Sequence, residues 1–298
     1  MYARRFTFQK VVYALKTLVS PKQLAKAIGV SESSVKRWCD DDRLKATYTP
    51  GGHRKIKVAE ALDFIRRSSH GIVDPDSIGL PRNISHTKVD LGNAYQLLTD
   101  ALIAGLEVDA RTIILDLYLQ NNPLEAIFDQ VICPSFASIG EKWGCGEVAI
   151  YQERSACMIC SRILDRVDEM LPRSSTAPLA LGSSLTGDFY ELPTQMVSLV
   201  GRAQGFQTRS LGANLPASTL VEAVENYGPK WVWLSVSYIA EKNHFVAEVN
   251  RLWDVLTTKG IHLVLGGRAL TTDIRSQISY TTCCDSMTDL ANFLKIMG

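Results

Sequence analysis

The sequence predicts a multidomain chain: a winged helix-turn-helix, then a four-helix bundle, then a parallel α/β sheet. Three observations predict it. Near the N-terminus, apolar residues at helical spacing flank a glycine, and a basic hairpin around Pro-Gly-Gly follows. Residues 91–170 carry four helical patterns with apolar stripes. From Pro178 onward, short apolar strands alternate with amphipathic helices, the signature of a parallel sheet covered on both faces. The boundaries that follow are 1–70 for the first module, 71–88 for a linker, 89–174 for the bundle and 175–298 for the sheet domain.

Charge divides the chain at the same place. Its 298 residues carry a net charge of +1, yet residues 1–70 hold 15 Lys and Arg against 6 Asp and Glu. The remainder holds 17 against 25. A basic module on an acidic one is the footprint of a nucleic-acid binder attached to a non-binding partner, although a solvated basic surface would look the same. No apolar run of 18 residues argues for a membrane span. Met1 to Lys10 alternates Arg with aromatics and does not read as a signal peptide. Seven thinly spread cysteines suit a reducing compartment, so a cytoplasmic location is expected.

In the first module Ser20 caps a helix, with Pro21 in its first turn and Gln23 in the capping-box position. Leu24, Ala25 and Ile28 face inward, and Gly29 supplies the turn. Ser31 caps a second helix held by Val35 and Trp38, which leaves Ser33, Ser34, Lys36 and Arg37 outward. Serine hydroxyls and the arginine fork suit phosphates and base edges. The stretch from Arg43 to Ile56 is a hairpin whose returning strand carries His53, Arg54 and Lys55. A helix over Val58 to Ile65 packs beneath it through Ala61, Leu62 and Ile65. These residues, ending in Thr-Pro-Gly-Gly-His-Arg, resemble the DNA-binding domain of the MerR family. The resemblance covers about the first 70 residues. It implies that Ser33, Ser34, Lys36, Arg37, Arg43, His53, Arg54 and Lys55 contact DNA.

Residues 68–88 are rich in Gly, Pro and polar side chains and read as a hinge. In the bundle, Leu97, Leu98, Leu102 and Leu106 form one stripe, and Ile113, Ile114, Leu117 and Tyr118 another. Cys133, Cys145, Cys157 and Cys160 also fall here. They read as small buried hydrophobes, since no histidine lies near to complete a metal site. Trp143 is followed after nine residues by Glu153-Arg154. That spacing is similar to the cobalamin-binding bundles of some MerR-type regulators, which carry Glu-His there. As a plain core aromatic, Trp143 needs no ligand at all.

Strands are expected at Leu179–Ser184, Thr208–Leu211, Val232–Ser237 and His262–Leu265, with helices between them and a last helix at Asp285–Ile296. Ligands of such folds sit at the carboxyl ends of the strands. Those ends carry Asp188 and Tyr190, Ser235 and Ser237, and Gly266-Gly267. This order is similar to the flavodoxin-like (Rossmann-type) cobalamin-binding domain. The whole chain then resembles the cobalamin-dependent, light-responsive MerR-type repressors.

The resemblance implies cobalamin as cofactor, with Trp143, Glu153 and Arg154 above the corrin ring and Asp188, Tyr190, Ser235, Ser237, Gly266 and Gly267 below. Tyr190 replaces the cobalt-binding histidine and Pro193 the glycine of the family motif, which argues against retention of the cofactor. His244 and His262 are substitute ligands to be tested. The expected function is a DNA-binding transcriptional regulator, a repressor and not an enzyme. Its C-terminal module would sense a ligand or mediate oligomerisation. Expected partners are double-stranded operator DNA, further copies as a homodimer or tetramer, and RNA polymerase. A working cobalamin-dependent light or ligand sensor and a corrinoid carrier are the alternatives.

Overall fold

The computed structural model describes residues 17–68, 70–80 and 89–297, so Met1–Lys10 and Arg82-Asn83 lie outside the described residues. The chain forms two compact units, Met1–Lys88 and Val89–Gly298.

In the first unit, α1 (Pro21–Ile28) begins with the reciprocal capping box. Gln23 N donates to Ser20 Oγ at 3.2 Å, and Ser20 N donates to Gln23 Oε1 at 2.9 Å. Gly29 takes φ +70° at the end of α1, a conformation that penalises any Cβ, and turns the chain into α2 (Glu32–Asp40). Leu24, Ala25 and Ile28 of α1 and Val35 and Trp38 of α2 are buried together. Strand β2 (Thr47–Tyr48) pairs antiparallel with β3 (Arg54–Lys57) around the Pro-Gly-Gly turn. A two-residue strand, β1 (Leu18–Val19), adds to the other side of β3. Two residues carry no readable alternation, so this strand has no sequence signal. Helix α3 (Val58–Ser68) buries Ala61, Leu62 and Ile65 as expected, with Phe64 added.

Residues 71–80 correct the linker assignment. Val73 N and Asp74 N donate to Ala27 O, and Lys26 Nζ pairs with Asp74 at 2.6 Å. A 3₁₀ turn at Pro75–Ile78 carries Ile78 into the core, and Leu80 follows. Ile78 and Leu80 show no period, yet both are fully buried, while Val73 stays exposed.

The second unit opens with α4 (Leu91–Ile103) and α5 (Glu107–Leu119). A third helical rod follows in three pieces: α6 (Leu124–Ile127), a π-turn (Phe128–Ile132) and α7 (Cys133–Gly144). Pro134 explains the wide turn, because its ring displaces the carbonyl one turn earlier and it has no N–H to bond it. The last rod, α8 (Ile150–Met170), is tied to α5 by Arg162 and Glu107 at 2.7 Å. Leu98 and Leu102 are buried as expected, but Leu97 and Leu106 are exposed. Leu97 lies a full 100° around the helix from Leu98, and Leu106 sits in the turn before α5.

The five-stranded sheet is parallel in the order β5-β4-β6-β7-β8, the flavodoxin-like winding. Its strands are β4 (Leu179–Ser183), β5 (Gln207–Ser210), β6 (Trp231–Ser235), β7 (His262–Gly266) and β8 (Thr282–Cys284). The first four meet the expected segments, while β8 is too short to announce itself. Helices α10 (Ala217–Tyr227), α11 (Lys242–Thr258) and the short α12 (Thr272–Arg275) pack on one face over Leu181, Val232, Leu234, Leu263 and Leu265. Helices α9 (Glu191–Ala203) and α13 (Met287–Met297) take the other face, together with the bundle. The bundle holds α13 by its first turn: the Asp129 carboxylate accepts from Met287 N, Thr288 N and Thr288 Oγ1.

Candidate functional site

The crevice at the carboxyl edge of the sheet is built by side-chain register along two helices. Gln195 Nε2 of α9 donates to Ser161 Oγ of α8 at 2.9 Å, and Arg202 of α9 pairs with Asp168 of α8 at 2.6 Å. Both partners advance by seven residues, so α8 and α9 run parallel. Glu191, the first residue of α9, is therefore level with Cys157, and α8 begins seven residues earlier. At 1.5 Å per residue its first two turns project about 10 Å beyond α9. They overhang the carboxyl edge. Glu153 and Arg154 lie on this overhang and pair at 3.6 Å. Trp143, Ile150, Tyr151 and Met158 around it are exposed, which excludes the core-aromatic reading of Trp143.

Below, Asp188 is buried and clamps two loops. Its Oδ1 accepts from Tyr190 N at 3.1 Å, and its Oδ2 accepts from Ser237 N at 2.6 Å and Tyr238 N at 3.1 Å. Ser184 Oγ donates to Asp188 O at 2.7 Å. Both carboxylate oxygens are thus engaged by backbone and hold the loops after β4 and β6 together. Tyr190 is part-exposed beside Phe189 and Tyr238, and the Arg268 guanidinium lies 5.6 Å from its ring centroid. Arg268 Nε also donates to Ser237 O at 3.4 Å.

Several expected roles are corrected by this geometry. Gly266 and Gly267, expected below the ring, pack closely against neighbouring backbone. A Cβ on Gly267, whose φ is +130°, would stand 2.2 Å from Val236 O, so the glycine permits close backbone contact. Pro193 lies in the first turn of α9, where its missing N–H has no helical partner to lose, and not in the loop. His262 begins β7 and therefore lies at the opposite edge of the sheet. His244 opens α11 on the face away from the bundle, with its ring 3.5 Å from Glu248. Neither histidine reaches the crevice.

Residues 94–167 match the B12 binding domain. The matched segment runs through the helical bundle, so this chain contains a cobalamin-binding-like domain. No curated protein matches the chain. Among solved structures, the monomethylamine corrinoid protein of Methanosarcina barkeri is 17% identical over 69% of this chain and 99% of its own, with a TM-score of 0.58. At that identity the likeness is one of fold, and it joins a helical part to a parallel sheet. A cobalamin-binding protein from Desulfitobacterium hafniense DCB-2 is 15% identical over 70% of this chain and 98% of its own, with a TM-score of 0.38.

The donor set of the crevice does not fit a cobalt ion held from below by an imidazole. The residue at that place is Tyr190, and the Asp188 oxygens that would orient a ring nitrogen already accept three backbone N–H groups. The aromatic residues above and below fit a flat apolar ring better than they fit a metal.

The four bundle cysteines divide. Cys160 is buried, Cys157 half-buried, and Cys133 and Cys145 exposed. Among the described residues no group of His, Cys, Asp and Glu could hold a metal. Burial pushes the Cys157 thiol up to about 12, with the Glu153 carboxylate adding to the effect, and burial likewise raises Cys160. Both remain thiols at pH 8, and the thiolate is the reactive form. Brief iodoacetamide treatment of the native chain at that pH should label Cys145 and spare Cys157 and Cys160. Peptide mass spectrometry checks it.

In the N-terminal unit, Ser33, Lys36, Arg37, Arg43 and His53 are exposed, and Ser34 and Lys55 are half-exposed. Ser33 and Ser34 both reach the Ser31 hydroxyl, at 2.8 and 2.9 Å, and Lys36 pairs with Glu32 at 2.8 Å. Arg37, Arg43 and Lys55 make no ion pair among the described residues. Arg54 departs from the expected outward role. Its guanidinium forks onto Asp40 at 2.5 and 3.2 Å, donates to Lys36 O at 2.8 Å, and lies 5.8 Å from the Tyr48 ring centroid. A planar five-donor cation beside a carboxylate and a helix carbonyl can donate to both at once. Nothing in residue type or spacing distinguishes this arginine from Arg37.

No helix among the described residues is long and apolar enough to cross a membrane.

Proposed function

We propose that the chain is a DNA-binding transcriptional regulator of MerR type. Its first unit would be a winged helix-turn-helix that enters duplex DNA with α2, while the β2–β3 hairpin grips the backbone. The observation that carries this is a cation set on that unit: exposed Arg37 on α2 and Arg43 after it, and half-exposed Lys55 on the hairpin, all without an internal carboxylate partner among the described residues. Cations left unpaired on a helix-and-hairpin surface are available to replace the condensed counterions of phosphates. The expected partner is operator DNA bound by a homodimer or tetramer that acts as a repressor in the cytoplasm, with RNA polymerase a further contact. The chain has no assigned enzymatic step in this reading. The B12-binding half supplies ligand sensing or assembly.

Arg54 and Asp40 are positioning residues here, since they fix the hairpin against the end of α2. The test is the salt dependence of binding to a duplex by fluorescence anisotropy. Arg37→Ala should weaken binding and lower the slope of log affinity against log salt by about one unit per bound copy. Arg54→Ala should weaken binding through hairpin misplacement and leave the slope about unchanged, because Asp40 already balances its charge. A full-length chain with no affinity for duplex DNA at low salt would end the regulator reading.

A second reading, a corrinoid carrier, is favoured by the fold likeness to the Methanosarcina barkeri protein. Tyr190 opposes it, and a basic N-terminal unit has no use in it.

A further inference from the structure

We propose that the carboxyl-edge crevice takes a flat corrinoid ring whose nucleotide arm stays outside the protein, because Trp233 fills the space beneath it between α9 and the sheet. The proposal rests on reading this crevice as the ligand site and is independent of DNA binding.

Strand β6 alternates, so Trp231, Trp233 and Ser235 share the face under α9. Both indoles are fully buried and lie 5.4 Å apart between ring centroids. Each sits on a glycine. Gly182 of β4 pairs with Trp233 in register, and a Cβ there would stand 2.1 Å from the indole. Gly201 of α9 would carry its Cβ 3.2 Å from the Trp231 ring. Glycine on strand and helix lets two large rings occupy the layer that a ligand arm would need.

Trp233 is also held in place by polar contact. Its Nε1 donates to Thr194 Oγ1 at 2.8 Å, on the first turns of α9, and Thr194 Oγ1 lies 3.3 Å from Ser210 Oγ. Rotating the ring away would break this bond and open a void in a close-packed layer. At the mouth, Tyr190 with the Arg268 guanidinium over its ring stands in the path from the crevice downward. Trp231 Nε1, Ser183 Oγ and Gln195 Oε1 are buried without a hydrogen-bond partner among the described residues, and so is a group at the end of β6. Ser235 Oγ is buried at the end of β6 with no hydrogen-bond partner among the described residues. A ligand edge or a water is what such a hydroxyl needs.

A corrin ring has broad apolar faces, and cobalamin adds a bulky benzimidazole nucleotide on one side. The exposed aromatics offer contact for the ring, with Phe189, Tyr190 and Tyr238 below and Trp143 and Tyr151 on the overhang. The layer beneath offers no volume for the nucleotide.

The experiment titrates the full chain with cobinamide, which has the ring and lacks the nucleotide, and with hydroxocobalamin. Tryptophan quenching reads affinity, and the visible spectrum after gel filtration reads whether benzimidazole still binds cobalt. The expected result is retention of both, with affinities within about threefold and benzimidazole still on cobalt in the bound cobalamin. Bound cobalamin with its benzimidazole displaced would overturn the proposal. A tenfold or greater preference for cobalamin would do the same, as would retention of neither corrinoid. Trp233→Ala should shift the preference towards cobalamin at least tenfold. Should that variant fail to fold by circular dichroism, the wild-type comparison decides alone. A chain that retains no corrinoid yet binds duplex DNA overturns this proposal and leaves the regulator reading standing. Corrinoid retention without DNA binding does the reverse.

Discussion

Raising salt from 50 to 200 mM is expected to weaken duplex binding by the full-length chain about a thousandfold. The magnitude follows from three of the expected DNA contacts that the fold leaves outside ion pairs. Arg37, Arg43 and Lys55 are free of internal ion pairs among the described residues, and a homodimer would present each twice. Six phosphate contacts give a slope of about −5 in log affinity against log salt, which over a fourfold salt range is roughly three decades. Lys36 is left out of this count because Glu32 pairs with it, and Arg54 because Asp40 does. Anisotropy titrations at four salt concentrations measure the slope. A slope near −1 would mean that this surface does not track a DNA backbone.

Asp188→Ala is expected to destabilise the second unit by about 3–5 kcal/mol. The carboxylate is buried and accepts three backbone N–H groups, one from its own loop and two from the loop after β6. A hydrogen bond to a charged group contributes about 1.5–3 kcal/mol, and removal of the acceptor leaves several donors partly unsatisfied, while water entering the crevice offsets some of the loss. Urea unfolding followed by tryptophan emission reads this unit directly through the buried Trp231 and Trp233. Asp188→Asn should be milder, because one amide oxygen still accepts from the Ser237 loop. If Asp188→Ala were to leave the urea midpoint unmoved, the loop clamp would have no energetic role.

The two modules differ in how openly the sequence announces them. Ser20 and Gln23, Gly29 and Ser31 are local signals, since each acts within four residues of itself, and each is found in the place its chemistry requires. The bundle and the first four strands were equally legible, because a helical or alternating period is a property of the segment itself. β1 and β8 were not, being two and three residues long. The stretch from Val73 to Leu80 was also hidden, since its buried Ile78 and Leu80 have partners that are distant in sequence.

Side-chain pairing lies beyond periodicity altogether. Arg37 and Arg54 are the same residue type in the same basic module, and only the arrival of β3 beside the end of α2 gives one of them Asp40 as a partner. Tyr190 was recognisable as a departure from a histidine motif. That Asp188 would become a backbone clamp, and that Trp233 would settle on Gly182, depends on β6 lying beside β4 in one particular register. By itself the sequence determined the order of elements, the caps, the turn and the separation of charge, because these arise from neighbours along the chain. Only the tertiary structure decided which cations stay free and which crevice stays open. Those outcomes depend on contacts between residues far apart in the chain, and no local pattern encodes them.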